Sequence, residues 1–288
     1  LKKKKIVVSN KKLTGLSVKN IDTEKNSGDL YIYGEITEDK WWETDVTPQD
    51  ITEALSELEG VENINLFVNS PGGGVYAGMA IYNILNRFAE NCTITAHIDG
   101  IAASIAGVII MVADKIIMPS NTLIMIHDPL LGICGYYNSK ELQDIINILA
   151  PVKETILNVF EARLALSRDE IEELMSAETY ITAEKALEYG IIDEIGELKE
   201  LKSETNPEDK NIKVVNGVDF DTKNFKNFPK NFLDVEESED DNEDGENTEE
   251  VEKTEDEDES EIIDFSKYEN SLKLMESSIS IIEEEGTV

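Results

Sequence analysis

From about residue 16 to residue 195, short apolar runs of strand length alternate with longer segments whose apolar residues recur at helical spacing. That alternation is the strongest constraint on the fold. Strands separated by helical crossovers lie parallel in one sheet, with the helices packed against it. Residues 30–36 (LYIYGEI) and 64–68 (INLFV) read as strands. Between them Thr47 is a candidate N-cap, Pro48 falls at the first helical position, and Ile51, Leu55 and Leu58 share one face of a helix over 47–59. A helix is expected over 75–88, a strand at 93–98, a turn at Asp99-Gly100 and a helix of small and apolar residues over 103–113. Strands at 115–118 and 123–126 follow. Leu142, Ile145, Ile146 and Leu149 form a stripe that resumes after Pro151 through Ile156, Val159 and Phe160. One long helix is expected there, interrupted or kinked at the proline. A helix-rich piece over 168–190 closes the pattern.

The 288 residues carry a formal net charge of −35, unevenly spread. Residues 234–264 hold 19 acids against one base, Lys253. Such a run repels itself and has too little apolar surface to collapse, so disorder is expected. The same balance argues against nucleic acid and anionic membrane as partners, because phosphates would be repelled. The basic run at 2–5 reads as a solvated terminus. Two cysteines, Cys92 and Cys134, make no disulfide framework and fit a reducing, cytoplasmic setting. No signal-peptide pattern is visible, and no apolar run approaches the roughly 20 residues needed to cross a bilayer. Beyond 201 the chain turns rich in Lys, Asn and Asp with scattered Phe, then acidic. Phe265, Tyr268, Leu272, Met275, Ile279 and Ile282 recur at helical spacing. The expected divisions are an N-terminal segment (1–15), a main domain (16–202), a linker and acidic disordered region (203–264) and an amphipathic helix (265–288).

Three local features carry chemistry. Asn69-Ser70-Pro71-Gly72-Gly73, with Gly74 after it, joins a strand to a helix. Glycines let backbone N–H groups approach an oxygen closely, because no Cβ intervenes. Gly-Lys-Ser/Thr is absent, so this is no phosphate loop. In Gly100-Ile101-Ala102-Ala103-Ser104-Ile105-Ala106 a serine sits among small residues between strand and helix; taken alone, it is more simply a helix cap. In Leu123-Ile124-Met125-Ile126-His127-Asp128-Pro129 a histidine ends an apolar strand, where active-site groups commonly emerge. The chain has two histidines. His97 falls inside a strand and reads as a core or edge residue, which leaves His127 as the candidate base.

In this order and spacing, NSPGG, GIAASIA, MIHDP and TAEKALEYGIID (182–193) strongly resemble the Clp protease proteolytic subunit. They resemble still more the Clp-like head-maturation (prohead) proteases of tailed phages. The resemblance covers about residues 31–193. It implies an α/β chain of the Clp-protease, crotonase-like fold: repeated ββα units with an inserted handle helix at 132–160, then the acidic extension. It also implies a serine endopeptidase needing no cofactor, with Ser104 as nucleophile and His127 as base. The backbone N–H groups of Gly73 and Ile105 would form the oxyanion hole. Glu178 falls where the Clp subunit carries its third, aspartate, member, and Asp128 is its rival. The implied partners are peptide or protein substrates, capsid or scaffold protein among them, and further copies of the chain in a ring. The implied place is the bacterial cytoplasm or the procapsid. Three other readings stay open: a housekeeping subunit served by a separate ATPase, a crotonase-like CoA enzyme, and a non-catalytic assembly protein.

Overall fold

The computed structural model describes residues 14–229, apart from 23 and 199. The N-terminal segment before 14, the acidic run at 234–264 and the amphipathic helix expected over 265–288 lie outside the described residues.

Along the chain, β1 (Gly15–Asp22) and β2 (Ser27–Tyr33) form an antiparallel pair. Then come α1 (Pro48–Glu57), β3 (Asn63–Ser70), α2 (Val75–Ala89), β4 (Thr93–Ala103), α3 (Ile105–Ile109) with a 3-10 turn after it, β5 (Lys115–Pro119) and β6 (Leu123–Ile126). The long α4 (Ser139–Arg163), α5 (Arg168–Ser176), β7 (Thr179–Ile181), α6 (Ala183–Glu188) and β8 (Glu194–Gly196) complete the main body. Strand order in the main sheet is β1-β2-β3-β4-β5-β8, with every neighbour from β2 onward parallel. A branch leaves this row where β6 pairs parallel with the end of β4 and antiparallel with β7. The architecture is mixed α/β with a mostly parallel sheet, as the alternation requires.

Local sequence sets the elements. Thr47 caps α1 in a reciprocal box with Asp50, and Pro48 opens the helix. Asn138 and Glu141 do the same for α4. Pro151 lies within that helix, which is continuous from Ser139 to Arg163 rather than interrupted there. Alternate strand residues point to opposite faces. Leu30, Ile32, Leu66, Val68, Ile94 and Ala96 therefore face α1, α2 and α3 in the main core. Tyr31, Phe67 and His97 stand in one row on the other face, ring stacked on ring.

Two expectations change. The turn expected at Asp99-Gly100 is absent, because β4 runs straight through it. Asp99 accepts a 2.6 Å hydrogen bond from the buried Tyr33 hydroxyl, and Asn69 Oδ1 accepts the Ile101 N–H at 3.2 Å. The strand also changes partner here, from β5 at residues 95–97 to β6 at residues 101–103. A segment read locally as a turn is thus extended by its neighbours. Second, residues 203–229 fold. β9 (Ser203–Thr205), β10 (Ile212–Val215) and β11 (Val218–Asp221) form a three-stranded antiparallel sheet. Val215, Val218 and Phe220 bury themselves against Tyr33, Ile101, Leu123 and Met125, on the face away from the helices. Their apolar residues look scattered in sequence because a hairpin across Asn216-Gly217 is what brings them together. Among the described residues no helix is long and apolar enough to cross a membrane.

Candidate active site

Ser104 stands between the end of β4 and the start of α3, and His127 directly follows β6. The two strands are neighbours, with Ala103 opposite Met125, so their carboxyl ends deliver both side chains to one place. Ser104 Oγ and His127 Nε2 are 2.7 Å apart. Ser104 has φ +55°, a left-handed conformation that costs a residue with a Cβ about 1–3 kcal/mol. Two backbone bonds hold it there: the Ser104 N–H donates to Met125 O at 2.8 Å, and Gly107 N–H donates to Ser104 O at 3.0 Å.

The glycine turn after β3 lies against this serine. At Gly72, with φ +90°, a Cβ would come within 2.6 Å of Ser104 Cβ and 3.2 Å of the Ile105 nitrogen. At Gly73, with φ +140°, it would strike Ile36 O. Side chains are therefore excluded at both positions. Ile36 clamps the turn by donating its N–H to Gly72 O at 2.8 Å and accepting that of Gly74 at 2.7 Å. Ser70 adds a hydroxyl bond to Gly34 O at 2.6 Å and accepts the Gly72 N–H at 3.1 Å. Among the described residues neither the Gly73 nor the Ile105 N–H has an acceptor, and both residues line the same cleft as Ser104 and His127. The clamp leaves those two donors available.

Glu178 comes from the β7 side. Ile126 faces Thr179 across the antiparallel β6–β7 pair, so the next step along both strands sets Glu178 beside His127. Glu178 is buried and has φ +51°. Its Oε1 accepts the Asn227 N–H at 2.8 Å. Among the described residues, neither Glu178 nor Asp128 makes a hydrogen bond to the His127 ring. Asp128 is engaged elsewhere, with Lys153 at 3.1 Å and the Ser176 hydroxyl at 3.1 Å. Burial holds the His127 pKa below the ordinary imidazole value, and Lys226 acts in the same sense; the charges of Glu178 and Asp128 oppose them. His97 does not line the cleft and stacks on Phe67.

The cleft measures about 720 Å³. Val75, Val108, Ile126, Leu130, Ile156 and Phe160 give it apolar walls beside Ser104. The segment after β11 forms another wall, with Asp221, Lys223, Phe225 and Lys226. Sequence reasoning missed that wall: nothing in 221–228 has a chemical motif or a clear period. The Asn69 bridge was missed likewise, although its motif was noticed. Its side-chain N–H donates to Val215 O at 2.8 Å while its Oδ1 takes the Ile101 N–H, joining the glycine turn, β4 and β10. Chemically the arrangement offers a hydroxyl with a neutral imidazole against it, two free backbone donors nearby and an apolar cleft for a chain.

A family model described as Clp protease matches residues 28–199. The ATP-dependent Clp protease proteolytic subunit 2 of Tropheryma whipplei (strain Twist) is 34% identical over 136 residues, which are 46% of this chain and 73% of that protein. The protein of the same description from Thermobifida fusca (strain YX) is 33% identical over 143 residues, 49% of this chain and 68% of that protein.

Proposed function

The chain belongs to the Clp protease family and is a serine endopeptidase, and from that premise we propose that Ser104 is its nucleophile, His127 its general base and Glu178 the acid that orients the imidazole. The 2.7 Å contact between Ser104 Oγ and His127 Nε2 at the apolar cleft carries this reading. Neutral His127 takes the hydroxyl proton at Nε2 as Ser104 Oγ adds to the substrate carbonyl. The N–H groups of Gly73 and Ile105 receive the oxyanion, preorganised by the clamp around the glycine turn. The imidazolium returns its proton to the leaving amine, the C–N bond breaks, and an ester remains on Ser104. Water, deprotonated by the same imidazole, then releases the acid and restores the hydroxyl. Glu178 stabilises the imidazolium and favours the tautomer with its proton on Nδ1. Asp128 is the weaker candidate for that role, since Lys153 and Ser176 hold its carboxylate. This chemistry requires no cofactor.

The role proposed for the activity is processing of capsid or scaffold protein during phage head maturation, in the host cytoplasm and the procapsid. Two features support it. The acidic run and the helix-spaced segment lie beyond residue 199, where the family match ends. Glu178-Thr179-Tyr180 stands where the housekeeping subunit carries aspartate. Self-association is part of the proposal: α4 exposes Leu142, Ile146 and Ile148 in its first half, while Ile156, Leu157 and Phe160 bury its second half in the core. The names of the two relatives favour a second reading, a proteolytic subunit served by a separate ATPase.

Mass spectrometry of the wild type and Ser104→Ala, each co-expressed with a candidate capsid protein, tests the first reading. Trimmed capsid protein with the wild type alone supports it. Intact capsid protein in both, with a folded substrate degraded only when ATP and an unfoldase are added, selects the second.

A further inference from the structure

We infer that Asn227, from the segment beyond the family match, is a positioning residue for the reaction, its main-chain N–H fixing the Glu178 carboxylate beside His127. The inference rests on the triad proposed above and adds to it a part from outside the Clp-like region.

After β11 the chain passes along the cleft and grips the turn that carries Glu178 at three successive places. The Asn227 N–H donates to Glu178 Oε1 at 2.8 Å. The Asn227 side-chain amide donates to Ala177 O at 2.9 Å, one residue before. Phe228 packs edge-on against Tyr180, two residues after, with ring centroids 5.9 Å apart. Phe225 braces Phe228 at 6.1 Å. β10 and β11 anchor this strap through Val215, Val218 and Phe220 in the second core.

The side chain at 178 explains the need. Glutamate is one methylene longer than aspartate and has one more rotatable bond, so its carboxylate is less well placed by its own backbone. Glu178 is also buried, where an unpaired carboxylate oxygen is costly. A hydrogen bond to Oε1 fixes the plane of the group and leaves Oε2 to accept the Nδ1 proton of His127. That second bond is not formed in this structure. Catalytic bonds commonly tighten only once substrate is bound. The same strap read as an obstruction, holding Glu178 away from His127, makes the opposite prediction.

A double-mutant cycle in the full-length chain separates them, read on a short fluorogenic peptide. Asn227→Pro removes the N–H. Phe228→Ala loosens the strap and leaves the N–H in place. Each is made in the wild type and in Glu178→Gln. In the wild type Asn227→Pro is expected to lower kcat on the order of 10², with KM little changed. The acid limb of its kcat profile should move to lower pH, because the carboxylate that raises the His127 pKa is no longer held close. In the Glu178→Gln background the further loss should be under about threefold, since the two residues then act as one unit. Phe228→Ala should show the same dependence on background with a smaller loss, which keeps the test intact if the proline variant fails to fold. Equal losses in both backgrounds would mean a merely structural strap and overturn the inference. So would a gain in activity on loosening the strap. Full activity of Glu178→Gln beside an inactive Ser104→Ala would remove the triad assignment, and this inference with it.

Discussion

Ser104 is the residue on which the local conformation most depends. Its positive φ is held by backbone bonds from β6 and from the first turn of α3, and glycine at 72 leaves the space above it empty. In the proposed mechanism the imidazole beside it accepts a proton only when neutral, so activity should be present above the His127 pKa and lost as pH falls through it. Burial outweighs the carboxylates and places that pKa below 6.5. The acid midpoint of kcat/KM on a peptide substrate should therefore fall below 6.5; a midpoint at or above it would contradict the burial argument. At this scale much was legible. The serine, the histidine and the glycine turn proposed for the site each sit in a short motif, because such chemistry needs small neighbours and strand ends, and those needs leave marks over a few residues. Glu178 was reached by family resemblance, with Asp128 left as a rival; that Lys153 and Ser176 hold the Asp128 carboxylate is what favours Glu178 in the proposal. Asn227 left no mark, since a main-chain N–H can be supplied by any residue but proline.

Among the elements, β4 shows how neighbours override local preference. Asp99-Gly100 has turn chemistry, yet the hydroxyl of Tyr33 and the side chain of Asn69 satisfy an extended backbone there. The benefit is positional: the second half of β4 pairs with β6, and this pairing delivers Ser104 to His127. The hairpin of β10 and β11 has the corresponding task on the opposite face. Phe220, fully buried, is its main anchor. Phe220→Ala is expected to cost about 3–5 kcal/mol of stability, measured by chemical denaturation. A loss under about 1 kcal/mol would show that the hairpin is not cooperative with the main sheet. Helix α1 was readable from its cap and stripe and α4 from its stripe, whereas this hairpin was not: its strands are four residues long with two buried positions each, adjacent in β10 and alternate in β11.

For the whole molecule, charge is concentrated where the Clp-like region has ended. Removing 235–288 deletes most of the acidic run and the helix-spaced segment after it. The shortened chain is expected to keep full peptidase activity on a short peptide and to lose co-assembly with capsid protein, measured by co-sedimentation. Unchanged co-assembly would reject a targeting role for the extension. Order and composition alone determined the layered α/β plan, the motif-bearing turns and the location of the acid run, because periodicity and charge are properties of neighbouring residues. The tertiary structure decided which strand β4 pairs with at each end, that Glu178 comes level with His127 across the β6–β7 pair, and that a segment resembling a linker walls the cleft. Those outcomes depend on contacts between residues 49 and 146 positions apart in the chain, such as Asn227 with Glu178 and Asn69 with Val215. No local pattern encodes them, because each becomes favourable only after the sheet has brought its partners together.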